Sequence, residues 1–159
     1  MIIVSDTSPL CYLILIDYIN LLPQLYESVL IPQAVANELS DRNAPELIKN
    51  WIAKPPNWLQ IKSINPQSDL TLQKLDLGEQ EAILLAEEYK INLLLIDERA
   101  ARRIAQARNL NVTGLLGVLG YGASKGLIDF STAITCLQET TFYASPKLIN
   151  TLLKKYQKF

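Results

Sequence analysis

The chain has 159 residues, 49% of them hydrophobic and 19% charged, with 15 basic against 16 acidic side chains and a net charge of −1. That length and composition suit one folded domain with a real core and exclude a disordered chain. The near-neutral balance excludes a global positive field for nucleic acid, so attraction to a polyanion would have to be local.

No run approaches the ~20 apolar residues that a bilayer span needs, and the opening MIIVSDTSP lacks a basic stretch ahead of an apolar one. The expectation is a soluble, cytoplasmic protein with no signal peptide and no membrane partner. Cys11 and Cys136 lie far apart in apolar surroundings and fit no zinc or redox spacing, which makes them reduced core residues. Histidine is absent altogether. This removes Ser-His-Asp and Cys-His catalysis, His-rich zinc sites and the usual neutral-pH proton shuttle. Hydrolysis would therefore rest on carboxylates and the hard cations they prefer.

In chain order, Ile2 to Ser5 reads as a buried strand, followed by a turn and a helix that carries Pro9 in its first turn and runs to about Ile16. A short helix is expected over Tyr18 to Leu25, a second buried strand over Ser28 to Ile31, and helices over Gln33 to Ser40 and from Pro45 through Trp51. Pro55-Pro56 marks a loop, Leu59 to Ile64 an edge strand, and Asn65 to Ser68 a loop. A helix starts at Asp76 or Gly78 and runs to about Tyr89. The third buried strand is Asn92 to Ile96, and a helix over Arg99 to Arg108 ends in an Asn109 cap. Val112 to Gly114 is a short strand, and Leu115 to Ser124, Asp129 to Leu137 and Pro146 to Lys155 are helices. Strands alternating with helices imply right-handed βαβ units. The expectation is a single three-layer α/β/α domain over 1–159, with a central parallel sheet of about four or five strands.

Asp6 and Asp97 each follow the carboxyl end of a buried strand, where ligands bind in an open α/β sheet. The alternative is that each caps the helix that follows it, since aspartate is a favoured N-cap residue. Glu38 follows Val35 by three and sits at the margin of a buried helical face, though most helical glutamates are simply solvated. Glu79 precedes Ala82 and Ile83 by three and four, which puts it on the apolar side of its helix; the helix dipole alone also explains an acid there. Glu81 competes with it as a site residue.

The succession VSDTS, a helix with VANEL, LGEQEAILLA, LLLIDERAAR and then GLLGVL resembles the PIN-domain family, in particular the VapC-like nucleases of prokaryotic toxin–antitoxin pairs. The likeness spans about Met1 to Leu127, leaving extra helices over about 128–159. Where many members carry an aspartate as third acid, this chain has Glu79. The resemblance implies that Asp6, Glu38, Glu79 and Asp97 hold Mg²⁺ or Mn²⁺ and that Ser8 bonds a coordinated water or a neighbouring carboxylate. It also implies a metal-dependent ribonuclease acting on RNA and leaving a 5′-phosphate, with an antitoxin partner and dimerisation. Crowded carboxylates that would otherwise repel one another, with no histidine base, suit that chemistry.

Two alternatives stand beside it. One is a PIN-like module that binds RNA or protein without cutting. The other is a haloacid-dehalogenase-like phosphatase, which wants an aspartate where this chain has Ser8. Arg99, Arg102 and Arg103 follow Asp97 and either hold phosphates or form a solvated basic face. Lys147, Lys154, Lys155 and Lys158 are equally open to both readings. The sequence displays no aromatic ladder for stacking bases.

Overall fold

The computed structural model describes residues 1–65 and 68–157. Its strands are β1 (Ile2–Ser5), β2 (Ser28–Pro32), β3 (Leu59–Lys62), β4 (Leu93–Leu95) and β5 (Asn111–Thr113). All neighbours are parallel, in the order β3-β2-β1-β4-β5. The helices are α1 (Thr7–Leu15), α2 (Leu21–Leu25), α3 (Gln33–Leu39), α4 (Glu46–Ala53), α5 (Leu77–Glu88), α6 (Arg99–Ala107), α7 (Leu115–Ser124), α8 (Phe130–Gln138) and α9 (Pro146–Lys155).

The two-residue period of a strand sends alternate side chains to opposite faces, and both faces here are apolar. Ile3, Val29, Ile31 and Leu95 join one buried cluster with α1, α3, α7 and α8. Val4, Leu30, Leu94 and Ile96 join a second cluster with Ala82, Ile83, Leu85 and Ala86 of α5 and Ala101 and Ala105 of α6. The result is the expected three-layer α/β/α sandwich around a parallel sheet. Phe130, Ala133, Ile134 and Leu137 of α8 and Ile149 of α9 belong to the first cluster, so the C-terminal helices bury the same core as the rest of that face. Cys11 and Cys136 are free and half-buried.

Most expected elements appear within a residue or two. Helix α1 begins at Thr7 with Pro9 in its first turn as expected, where no backbone donor is required. One start differs. Helix α2 begins at Leu21 rather than Tyr18. Asp17 adopts φ 64°, and Tyr18 N–H donates back to Leu13 O at 2.8 Å, so these residues close α1 instead of opening α2. Asn109 caps α6 as expected, with φ 67°. A 3-10 turn at Leu70–Leu72 was not expected. The loop expected over 65–68 includes residues 66 and 67, which lie outside the described residues. Among the described residues no helix is long and apolar enough to cross a membrane.

Candidate functional site

The strand order reverses between β1 and β4, and a crevice opens beyond the carboxyl ends at such a point. Ser5 pairs with Leu95, and Asp6 N–H donates to Leu95 O at 2.9 Å. Asp6 therefore leaves the sheet beside the end of β4, two residues ahead of Asp97. A cleft of about 530 Å³ lies there, lined by Asp6, Glu38, Asp76, Glu79, Asp97 and Glu98. Among the described residues no basic side chain lines it.

Asp6 is only 6% exposed. It stands at the N-cap position of α1, yet its side chain makes no capping bond. Burial pushes its carboxyl up to about 7, and repulsion from Asp76, Glu79 and Glu38 adds to the rise. Asp97 precedes the cap of α6, which is Glu98, and serves a different helix. Its Oδ1 accepts from Leu115 N–H at the start of α7, at 3.0 Å. Its Oδ2 is buried and has no hydrogen-bond partner. Burial raises this carboxyl too, against the attraction of Arg102. A methyl group on Gly114 would run into Asp97 Oδ1, so glycine keeps that oxygen's place open.

Glu79 is also 6% exposed. It forms a reciprocal capping box with Asp76: Glu79 N–H donates to Asp76 Oδ1 at 2.8 Å, and Asp76 N–H donates to Glu79 Oε1 at 3.1 Å. Burial raises its carboxyl, with repulsion from Asp76, Glu98 and Glu38 behind it. Glu81 turns elsewhere; its Oε1 accepts from Ala34 N–H at 3.1 Å, at the start of α3, and it does not line the cleft. Glu38 is exposed, but it is not a free surface acid. The Thr7 hydroxyl donates to its Oε2, and its Oε1 lies where a Cβ on Gly78 would fall, 2.6 Å away. Ser8 lines the same cleft. The hydroxyl bonded to a carboxylate there is that of Thr7, one residue earlier than the resemblance implied.

All four acids singled out in the sequence thus face one cleft. Among the described residues, however, no three acid or thiol side chains converge closely enough to ligate one ion as they lie. Three of the four carboxylates accept from donors of the chain itself: Glu79 from the Asp76 amide, Glu38 from the Thr7 hydroxyl and Asp97 from the Leu115 amide. The donor set still fits a hard divalent cation. It is all oxygen, it gathers six carboxylates with no basic side chain in the described lining, and one buried oxygen is unsatisfied.

A family model described as PIN domain matches residues 2–158. The chain belongs to the PIN-domain family. No curated protein and no solved structure matches it. PIN domains are in general nucleases that use divalent metal ions, so the cleft lies in a nuclease-type fold.

Several features of this PIN domain's cleft escape sequence reasoning. Asp76 and Glu98 read as ordinary helix-start residues, and only the fold turns them toward Asp6 and Glu79. Arg102 is half-buried rather than solvated, with Nη1 3.3 Å from Ile96 O. Together with Arg99 and Arg103 it lines a second groove that adjoins Asp97. Lys147, Lys154 and Lys155 line neither hollow, and Lys158 lies outside the described residues.

Proposed function

We propose that this PIN-domain protein is an Mg²⁺- or Mn²⁺-dependent endoribonuclease of the VapC-like toxin branch, cytoplasmic and paired with an antitoxin. One observation carries the catalytic part: a cleft at the switch point of the sheet, ringed by carboxylates with no basic side chain among its described lining, in which Asp97 Oδ2 is buried without a partner. Asp6, Glu38, Glu79 and Asp97 would hold the cation. When bound, it neutralises the cluster, lowers the pKa of a water and stabilises charge on the phosphate.

The chain's own groups prepare that state. The Leu115 amide fixes Asp97 by one oxygen and leaves the other available. The Asp76 amide fixes Glu79 in the same manner, and Thr7 draws Glu38 toward Asp6. Asp6, whose carboxyl burial pushes up to about 7, would join them in its carboxylate form. No histidine is needed at any step.

The test is cleavage of a labelled single-stranded RNA with Mg²⁺ or Mn²⁺ and with EDTA. Asp6→Asn and Asp97→Asn should each abolish EDTA-sensitive cleavage while the circular dichroism spectrum stays that of the parent. Undiminished cleavage in either variant removes that acid from the site. A non-cutting module would instead show no heat on titration with Mn²⁺ up to millimolar concentrations.

A further inference from the structure

Beside the acid cleft opens a groove of about 870 Å³ that shares Asp97 with it. One bank is α6. Arg99, Arg102 and Arg103 stand at i, i+3 and i+4, hence on one face, and all three line the groove. Arg99 and Arg103 are exposed and make no ion pair among the described residues.

The opposite bank is the segment between α8 and α9. Tyr12 of α1 holds it in place: its hydroxyl lies 2.9 Å from Thr141 Oγ1, and its ring meets Phe142 edge to face with centroids 5.3 Å apart. Thr141 faces the acid cleft, while Phe142 and Tyr143 face the groove, so the segment is the partition between them. Tyr143 is 81% exposed, and among the described residues no other large hydrophobic side chain is more so.

The two banks ask for the same ligand in different ways. The guanidinium groups of Arg99 and Arg103, without carboxylate partners among the described residues, suit phosphate oxygens, and a ring left in water gains by being covered with another flat surface. A nucleic acid offers both only when its bases are unpaired, because a duplex keeps their faces inside the stack. The groove also ends at Asp97, where a strand must deliver the phosphate to be cut.

We infer that this groove carries single-stranded RNA to the acid cleft, with phosphates on Arg99, Arg102 and Arg103 and a base stacked on Tyr143. The choice of RNA and the cutting at Asp97 rest on the nuclease reading above; the groove's preference for an unpaired strand rests on its own two banks.

Binding can be measured apart from cleavage, by fluorescence anisotropy of a labelled RNA of about ten nucleotides in EDTA. Tyr143→Ala weakens binding about tenfold, the effect of losing one stacked base, and Tyr143→Phe retains it. Arg99→Ala with Arg103→Ala lowers affinity and flattens the dependence of log affinity on log salt by about 1.4, or two single-strand phosphates. The same sequence closed into a hairpin binds more weakly than the open strand. All these side chains are at the surface, so melting temperatures should not move.

The two readings fail separately. If no metal supports cleavage by the parent, but these losses of affinity are seen, the groove stands and the nuclease reading falls. If cleavage proceeds and the variants leave affinity and KM unaltered, the groove falls and the nuclease reading stands. If affinity is unaltered and Tyr143→Ala turns a dimer into a monomer in sedimentation, the face joins two copies of this chain and the groove assignment is overturned.

Discussion

Helices α5 and α6 both run from the acid cleft to a second charged cluster, and the two ends are treated in opposite ways. At the far end, Arg108 places Nη1 2.8 Å from Asp69 Oδ2 and grips Glu87 of α5 with Nη2 and Nε, at 2.6 and 3.0 Å. Hydrogen bonds from Thr71 and Arg108 hold Asp69 below the usual carboxylate range. At the near end, Asp6, Glu79 and Asp97 all lie above that range, chiefly through burial. One pair of acids shares a guanidinium of its own chain. The other cluster carries like charges without a basic neighbour in its lining, which is costly for a fold and useful for a cation site.

Acidity should separate the two ends most. A carboxyl whose pKa is raised by folding favours the native state below its unfolded value, here 3.8, and loses that contribution as pH rises through the folded value of about 7. In EDTA, the melting temperature should therefore fall between pH 5 and pH 8, and Asp6→Asn should flatten the fall. A cation binds the carboxylate form, so Mn²⁺ should restore stability over the same interval. At a hundredfold excess over its dissociation constant the gain is about 5–10 °C for a chain of this size. Scanning fluorimetry across pH with and without Mn²⁺ measures both; a flat profile in EDTA would contradict the burial of charge at Asp6.

Arg108→Ala makes the far end resemble the near one. It should lower the melting temperature by about 2–4 °C and leave metal-dependent cleavage unchanged. A loss of cleavage without a loss of stability would show that the far cluster communicates with the cleft. Glu81→Gln should do least. It keeps an acceptor for the Ala34 amide but removes a charge from the start of α3, which costs about 0.3–1 kcal/mol. Cleavage should be that of the parent, whereas Glu79→Gln should impair it. Equal loss in both variants would return Glu81 to the list of ligands.

The parts of this site that sequence reveals are those fixed by short-range pattern. Buried strands announce themselves as apolar runs, so Asp6 and Asp97 could be placed at strand ends and their meeting anticipated. Glu79 and Glu81 could not be separated, because each lies near the buried face of one helix; the amide of Ala34, from another element, decides between them. Asp76 and Glu98 look like helix-start residues and are that, while also walling the cleft. Tyr143 was invisible because its ring faces arginines 40 or more positions away, a relation that no local period encodes.

The bond between Tyr12 and Thr141 joins positions separated by 129 residues. A chain made from its amino end carries Asp6 long before it reaches this wall. Closing so large a loop is entropically dearer than forming any βαβ unit of the sheet. Completion of the cleft thus waits on a late contact, and a nascent chain carries its acids well before it can present them as one site.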